Sequence, residues 1–311
     1  MQIYITGSLA FDRIMSFPEK FSDHILPDKI HILNVSFVVD GLFERFGGTA
    51  GNIAYNLSLL GEKSVILSQV GKDFGLYDER LQHYGLSVEG IRTVEQEFTA
   101  GCYITTDKAD NQINGFNPGA MKYPCQYDMT RIDSAEAIGI ISPGNINDMV
   151  DHPRYYREKG IPYIFDPGQQ IPALGGEKLR DAIVGAEILI VNDYELEMVM
   201  KSTGMSQEDI LDNVAYLITT LGEKGSVVST RDEETSIGVC PAEAVVDPTG
   251  AGDAYRSGLL KGLSMGKTVV EACKLGAVCA TYAVEKTGTQ EHSFTLEEFT
   301  RRYEGVFGPM E

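Results

Sequence analysis

The sequence predicts an α/β protein with a doubly wound, mostly parallel sheet and a small β-sheet lid. Strand-like apolar segments alternate repeatedly with helix-like segments, and such βα units favour a parallel sheet covered by helices on both faces. Several strands, such as 137–141, are apolar throughout, as expected when both faces of a strand are covered. Before any long helix, two extended segments at 32–39 and 42–46 flank Asp40-Gly41, a strong hairpin signal. This early strand pair indicates a second, smaller sheet.

Length and composition narrow the possible functions. The chain of 311 residues, with 43% hydrophobic residues, suits one large α/β domain with a buried core. The net charge of −19 argues against a nucleic-acid or anionic-membrane partner. The five cysteines contain no Cys-x-x-Cys pair and the five histidines show no metal-ligand spacing, so we expect free thiols and no structural zinc. The N-terminal residues lack a signal-peptide pattern and no apolar run approaches a membrane span, so we expect a cytoplasmic protein.

The N-terminal part of the chain is predicted to build the lid and the first strands. A β-rich run at 2–6 ends at Gly7 and predicts a strand, followed by a loop at 8–14. Apolar side chains at helical spacing, ended by glycines, predict helices at 49–60 and 75–84, with a strand at 64–70 between them. Alternating segments predict strands at 99–106 and 112–116 around the turn 107–111. We assign the extended segments to a discontinuous lid formed by about 13–46 and 97–118 of a single domain, 1–311.

The C-terminal part of the chain returns to the main sheet. Short apolar runs bounded by turn residues predict strands at 137–141, 162–165 and 187–191, a segment 214–220 that ends in a strand, a hairpin of 226–230 with 235–240, and helices at about 254–265 and 269–284. Ligands of such sheets bind at the carboxyl ends of the strands. The candidate site residues are therefore the polar residues at these ends: Asp12, Asn145, Asp166, Asn192, Glu195 and Thr220.

The segment most suggestive of chemistry is the turn Gly250-Ala251-Gly252 followed by Asp253 at a predicted helix start. Uncrowded backbone N–H groups and the helix dipole favour an anion at such a turn. A carboxylate next to it can take the proton of a hydroxyl while the amides hold the phosphoryl group that the hydroxyl attacks. The alternative is a tight loop in which Asp253 is a helix cap. The segment is not a dinucleotide fingerprint, because Tyr255 stands where that motif needs glycine.

Two motifs in this sequence together resemble the signatures of the PfkB sugar and nucleoside kinases, also called the ribokinase family. They read Asp-Pro-Thr-Gly-Ala-Gly-Asp at 247–253 and Arg-Phe-Gly-Gly-Thr-Ala-Gly-Asn-Ile-Ala at 45–54. The resemblance covers essentially the whole chain and implies a ribokinase-like fold, with ATP and Mg2+ as cofactors. It also implies that Asp253 is the base and that the amides of Gly250, Ala251 and Gly252 stabilise the transferred phosphoryl group.

The resemblance also implies a nucleotide site built from two further motifs. Asn192 and Glu195 match an Asn-x-x-Glu motif that orients magnesium and phosphate, with Glu195 acting through a metal-bound water. Thr220, Gly222 and Gly225 match a Thr-x-Gly-x-x-Gly motif that lines the nucleotide. The alternatives are a helix N-cap for the first motif and a glycine-rich turn for the second.

The resemblance further implies a cation site and an acceptor site. In many relatives the region of Asp247 and Thr249, together with the stretch at 287–288, binds a monovalent cation, so K+ is a candidate ligand. Asp12, Gly48 and Asn52 match positions that hold two vicinal hydroxyls of a furanose ring. The alternatives are a loop cap for Asp12 and a helix-start residue for Asn52.

Three features favour a nucleoside as the acceptor. The stretch 110–121, in which Gln112 and Phe116 are the predicted substrate-binding residues, resembles the lid strand of nucleoside kinases in this family. The stretch 253–256 is similar to that of the bacterial adenosine-kinase-like branch. The predicted lid is rich in aromatic residues, which could stack on a base; the alternative is that they pack within the small sheet. These residues are Phe37, Phe43, Phe46 and Phe116.

These inferences predict an ATP-dependent kinase that phosphorylates the 5′-hydroxyl of a nucleoside, with adenosine favoured. A sugar kinase of the ribokinase or fructokinase type is the alternative enzyme, and a catalytically silent nucleoside-binding protein is the alternative from another class. The expected partners are the acceptor and ATP, with no nucleic acid and no membrane. A homodimer formed through the lid is a further expectation.

Overall fold

Two separate sheets organise the computed structural model, which describes residues 1–25, 27–32 and 34–310. The strands are β1 (Gln2–Thr6), β2 (Ala10–Ser16), β3 (Gly41–Gly47), β4 (Val65–Gly71), β5 (Ile91–Val94), β6 (Ala100–Thr106), β7 (Gln112–Asn117), β8 (Ala137–Ile141), β9 (Tyr163–Phe165), β10 (Ile188–Asn192), β11 (Tyr216–Thr220), β12 (Ser226–Ser229) and β13 (Glu234–Ile237). The α-helices are α1 (Thr49–Leu59), α2 (Gly75–His83), α3 (Ile146–Lys159), α4 (Ile171–Ile183), α5 (Asp193–Thr203), α6 (Gln207–Leu211), α7 (Ala251–Ser264), α8 (Val269–Val284) and α9 (Leu296–Phe307).

The large sheet has the order β13-β12-β11-β10-β9-β8-β1-β4-β5 and is parallel except at β12 and β13. Its central strands are buried on both faces, which explains their continuous apolar sequences. Helices α1, α2, α7 and α8 pack on one face with Ile3 and Ile5, and α3, α4, α5 and α6 pack on the other face. The predicted doubly wound, mostly parallel sheet is therefore confirmed.

Local signals set several helix starts. Helices α5, α6, α8 and α9 begin with capping boxes. In each, the side chain of the N-cap residue accepts from the backbone N–H of the third helical residue, and the carboxylate of that third residue accepts from the backbone N–H of the N-cap. The predicted helix at 269–284 has the bounds of α8. The helix predicted from about residue 254 begins three residues earlier, at Ala251, which places Asp253 in its first turn.

The small sheet has the order β3-β2-β6-β7 and forms the lid. The prediction that β3 pairs with an extended segment at 32–39 is wrong: residues 27–32 form a 3-10 helix, residues 34–39 form no strand, and Leu33 lies outside the described residues. The partner of β3 is β2, which lies in the stretch predicted as a loop. Its pairing with β6, about 90 residues away in sequence, is a long-range contact that local patterns do not report.

Aromatic packing holds the segment before β3 in place of strand pairing. The ring of Phe37 lies 4.7 Å from that of Phe17 and 5.1 Å from that of Phe21 between centroids. Strand β5 at the edge of the large sheet was not predicted. The predicted strands other than the segment at 32–39 are present, with small shifts of their ends. In the part of the chain that the structure describes, no helix is both long and apolar enough to cross a membrane.

Candidate active site

A cavity of about 730 Å³ lies at the carboxyl ends of the parallel strands, beneath the lid. It is lined by residues that follow β1, β8, β9, β10 and β11 and by the first turns of α1 and α7. Most of the predicted site residues line it: Asp12, Gly48, Asn52, Phe116, Asn192, Glu195, Thr220, Gly222, Thr249, Gly250, Gly252 and Asp253. Ala251, Gly225, Gln112 and Asp247 are not among its lining residues. The cavity therefore lies where ligands bind in open α/β sheets.

Two glycines permit the helix starts that border the cavity. Gly48 caps α1 with φ of 87°, and a Cβ there would lie 2.5 Å from the carbonyl oxygen of Ser8. Gly250 caps α7 with φ of 81°, where a Cβ would lie 3.0 Å from the side chain of Thr289. Side chains at these left-handed positions would be strained as well as crowded. The start of α7 consequently presents backbone amides to the cavity. At the start of α1, by contrast, the N–H groups of Thr49, Ala50 and Gly51 donate to Ser8.

Asp253, in the first turn of α7, faces the start of α1. The Nδ2 of Asn52 donates to its Oδ2 at 2.8 Å. Burial raises the pKa of Asp253 to about 6, and the Asn52 hydrogen bond and the charge of Arg256 oppose this rise. Such a carboxylate is charged at neutral pH yet basic enough to accept a proton, as a general base requires.

A buried ion pair adjoins Asp253. The Nη2 of Arg256 donates to Oδ1 of Asp166 at 2.7 Å, and its Nη1 donates to the carbonyl of Gly252 at 2.9 Å. Burial acts to lower the pKa of Arg256, but the charge and hydrogen bond of Asp166 and the charges of Asp253 and Glu195 together outweigh it, so the pKa is raised. Asp166 follows a predicted strand and was therefore a predicted site residue. No local signal identifies Arg256, whose partner lies 90 residues away in the chain. Arg256 thus holds the carbonyl of Gly252 in the turn Gly250-Ala251-Gly252, called here the amide turn, and supplies positive charge at the cavity.

The Asn192–Glu195 motif forms a helix cap and also lines the cavity. The Oδ1 of Asn192 accepts from the N–H of Glu195 at 2.7 Å, and Oε2 of Glu195 accepts from the N–H of Asn192 at 2.9 Å. The two interpretations of this motif are thus compatible, because the cap fixes a carboxylate and an amide at the cavity wall. Mg2+ binds through few carboxylates and several waters, so these groups fit a magnesium–phosphate site.

Part of the glycine-rich turn after β11 lines the cavity, and part of it lies outside the cavity. Thr220 and Gly222 line the cavity, and the hydroxyl of Thr220 donates to the carbonyl of Val191 at 3.4 Å. Gly225 precedes β12 and lies outside the lining residues.

The predicted acceptor residues divide into two groups. Asp12 lies on β2 opposite Arg45 of β3 and faces the cavity; burial raises its pKa and the charge of Arg45 opposes the rise. Phe116 on β7 also lines the cavity although its side chain is 55% exposed. Gln112 lies at the far end of β7, where its amide approaches the hydroxyl of Thr106 at 3.5 Å. The structure therefore brings Asp12 and Phe116 to the site and leaves Gln112 outside it.

The predicted cation region is an ordered turn. Oδ1 of Asp247 accepts from the N–H of Thr249, and its Oδ2 accepts from the N–H of Gly288, both at 2.9 Å. Burial acts to raise the pKa of Asp247, but these hydrogen bonds outweigh it and lower the pKa. Thr249 lines the cavity and Asp247 lies behind it.

The remaining lid aromatics have different environments. Phe37 belongs to the aromatic cluster with Phe17, and Phe46 packs against Phe11 and Tyr77 with centroid distances of 5.9 and 5.0 Å. Phe43 is 60% exposed at the lid surface. Of the four aromatic side chains proposed to stack a base, Phe116 is the one that lines the cavity.

A second buried polar cluster lies on the other side of the sheet. Cys125 approaches Nε2 of His152 with its Sγ at 3.7 Å, while Thr6 contacts Nδ1 of the same imidazole at 2.7 Å. Asp148 accepts from the N–H of Cys125 at 3.0 Å and from Gln69 at 2.5 Å. Each member has a protein partner, so the cluster is explained as buried hydrogen bonding in the core.

Comparison with known proteins identifies the family. The chain matches the model of the pfkB family carbohydrate kinases over residues 12–295. It belongs to this pfkB family. A nucleoside kinase of Methanocaldococcus jannaschii is 31% identical over 305 residues, which are 97% of each chain.

The fold agrees with that of solved family members. The ligand-free nucleoside kinase of Burkholderia thailandensis has 39% identity and a TM-score of 0.88, and the match covers 97% of this pfkB kinase and 100% of that chain. The same protein in complex with ADP-inosine has 39% identity and a TM-score of 0.84, over 98% and 96% of the two chains. The predicted ribokinase-like fold and the family resemblance are both confirmed.

Proposed function

We propose that this protein is an ATP-dependent nucleoside kinase that phosphorylates the 5′-hydroxyl of adenosine. The observation that carries the proposal is Asp253, held by Asn52 at the amide turn within a cavity that Asp12 also lines. A carboxylate at an anion-binding turn, facing a residue suited to a sugar diol, is the arrangement that phosphoryl transfer to a nucleoside needs. The names of the relatives, nucleoside kinases at 31–39% identity, support the acceptor class.

In this proposal Asp253 takes the proton of the attacking hydroxyl. The amides of Gly250, Ala251 and Gly252 stabilise the negative charge on the transferred group, and Arg256 adds positive charge next to them. Mg2+, when bound, neutralises charge on the phosphates. Closure of the lid over the cavity excludes water, which otherwise competes as an acceptor.

The nucleotide would bind along the wall formed by β10 and β11. Asn192 and Glu195 are proposed to hold Mg2+ and phosphate, with Glu195 acting through a water. Thr220 and Gly222 line the same wall, and Gly225 supports their turn. The turn at Asp247 and Thr249 is next to the amide turn, so we propose a K+ site at Asp247 and Thr249.

The acceptor would bind between the lid and α1. Asp12 and Asn52 are proposed to bind the ribose hydroxyls, Gly48 allows close approach of the sugar, and Phe116 stacks on the base. Gln112 would reach the acceptor only when lid closure carries β7 inward.

A survey of acceptors tests the proposal directly. ATP consumption is measured with adenosine, inosine, other nucleosides, ribose and fructose under identical conditions. We expect nucleosides to be turned over fastest, with adenosine foremost. Faster turnover of ribose or fructose would move the protein to the sugar kinases, and binding of nucleosides without turnover would indicate a silent binding protein.

Enlarging Ala251 tests the amide turn. Ala251 is the first residue of α7 and is half-buried, so valine there would crowd the anion-binding amides without opening the core. We expect Ala251→Val to reduce kcat by on the order of tenfold or more, with little change in melting temperature. The control is Ala135→Val, the same change in an exposed turn. A melting shift that accounts for the whole loss of activity would instead give the turn a structural role.

We also propose a single kinase domain, 1–311, whose lid of about 13–46 and 97–118 pairs with a second copy. Ile14, Phe43, Ile104 and Phe116 share the cavity-side face of the lid by strand register, and Phe43 and Phe116 are more than half exposed. A second copy would cover these apolar side chains. A wild-type protein that is a monomer in light scattering at micromolar concentration would refute the dimer. In that case Phe43→Ser should leave the measured mass unchanged.

A cytoplasmic location is part of the proposal. The five cysteines are free, and four of them are buried. Reduced thiols suit a reducing compartment. Cell fractionation with an antibody checks this location.

A further inference from the structure

A buried chain of hydrogen bonds connects Asp253 to helix α2. Gln290, in the segment before α9, is 3% exposed. Its Nε2 donates to Oδ1 of Asn52 at 3.1 Å and to the hydroxyl of Tyr77 at 2.9 Å. Its Oε1 accepts from Nε of Arg80 at 3.1 Å, and Arg80 also donates to its backbone carbonyl. Asn52 in turn donates to Asp253.

The direction of every bond in this chain follows from Arg80. A guanidinium can only donate, so it faces the oxygen of the Gln290 amide and turns the nitrogen of that amide towards Asn52. The oxygen of the Asn52 amide must then accept, which leaves its nitrogen to donate to Asp253. The donor-only guanidinium of Arg80 therefore determines which atoms of the Gln290 and Asn52 amides donate and which accept, independently of how the amide N and O atoms were assigned.

Arg80 is itself held firmly. Its guanidinium lies over the rings of Phe46, Tyr55 and Tyr84 at 4.7, 5.3 and 5.4 Å from their centroids. Stacking on aromatic faces immobilises a guanidinium and retains its charge. The hydroxyl of Tyr77 completes the chain by donating to the carbonyl of Gly47 at 2.8 Å, next to the lid. The Gln290 amide therefore has one satisfied orientation.

We propose that Arg80 and Gln290 are positioning residues that keep Asn52 as a hydrogen-bond donor to Asp253. The inference rests on the proposed function, in which Asp253 is the base. A donor at Oδ2 stabilises the charged carboxylate and leaves Oδ1 for the hydroxyl of the acceptor. Neither Arg80 nor Gln290 touches the cavity, so both act through Asn52.

Reversing the polarity of the chain gives a specific test. Gln290→Glu preserves the shape of the side chain, but a carboxylate can only accept from Asn52. The Asn52 amide must then turn its nitrogen to the new carboxylate and its oxygen to Asp253, which opposes ionisation of Asp253. The other charged or titratable groups that face Asp253 remain in place: Arg256 on its own helix, Asp166 after β9 and Tyr77 on α2.

The expected result is a shift of the acid limb of the kcat–pH profile by about one pH unit or more to higher pH, with kcat near pH 6 lowered about fivefold or more. We expect this limb near pH 6 in the wild type, because burial raises the pKa of Asp253 to about 6. Gln82→Glu, which adds the same charge on the exposed part of α2, is the matched control and should leave the profile unchanged.

A double-mutant cycle separates the hydrogen-bond chain from the added charge. If the chain carries the effect, Gln290→Glu should shift the profile in the wild type but not in an Asn52→Ala background. An equal shift in both backgrounds, or none in the wild type, would overturn the inference. Should Gln290→Glu fail to fold, Arg80→Gln removes the residue that sets the polarity and should move the same limb.

Asp253→Asn distinguishes this inference from the function on which it rests. Full activity of that variant would refute the proposed role of Asp253 as base. An inactive Asp253→Asn together with a wild-type profile for Gln290→Glu would refute the hydrogen-bond chain alone.

Discussion

Replacing Asp253 with asparagine is expected to lower kcat by about 10²–10⁴ while ATP affinity stays nearly unchanged. The amide oxygen of asparagine can still accept the 2.8 Å bond from Asn52, so the local geometry is retained. What is lost is the group that takes the proton of the acceptor. The nucleotide side of the cavity, at Asn192 and Thr220, is untouched.

The same variant should be at least as stable as the wild type at neutral pH. The folded-state pKa of Asp253 is raised to about 6, above the ordinary value for aspartate. The stability from this group is present at pH below the unfolded pKa and is lost as the pH rises through about 6. A neutral amide avoids the cost of holding a partly buried charge, so the melting temperature at pH 7–8 should not fall.

Steady-state kinetics, calorimetric titration with ATP and thermal melting check these expectations. Asp232→Asn, in the exposed hairpin turn between β12 and β13, is the matched control. Wild-type kcat in Asp253→Asn would remove Asp253 from the mechanism. A large fall in melting temperature would show that the carboxylate has a structural role.

Asp12→Ala is expected to lower kcat/KM for adenosine by roughly ten- to a hundredfold, because a charge-assisted hydrogen bond contributes about 1.5–3 kcal/mol. Asp12 faces the cavity from β2. The Asn52 amide is already bonded to Asp253 and Gln290, so it has only its second N–H and one lone pair to offer a ribose hydroxyl. Asp12 should therefore carry most of the recognition of the diol.

The measurement compares adenosine with 2′-deoxyadenosine in both enzymes. The wild type should prefer adenosine strongly, and Asp12→Ala should lose most of that preference. Asp40→Ala, an exposed position in the same lid, is the control. Equal rates for the two nucleosides in the wild type would show that Asp12 does not bind the diol.

Sequence alone determined the features that depend on neighbouring residues. The amide turn and Asp253 at the start of α7 follow from Gly250 and Gly252, and the Asn192–Glu195 cap follows from its spacing. The βα alternation, with its apolar strands, determined the parallel sheet and the carboxyl-end location of the cavity. These signals are local because a helix start or a buried strand is stabilised within a few residues of itself.

Tertiary structure alone decided which distant side chains meet. Strand β2 could not be recognised because its partners β3 and β6 lie far along the chain, and Gln112 could not be placed because β7 extends away from the cavity. Asn52 was assigned to the acceptor, yet it also bonds to Asp253, 201 residues away, and accepts from Gln290. Strand order and helix packing bring these groups together, and neither is encoded in the spacing of any one motif.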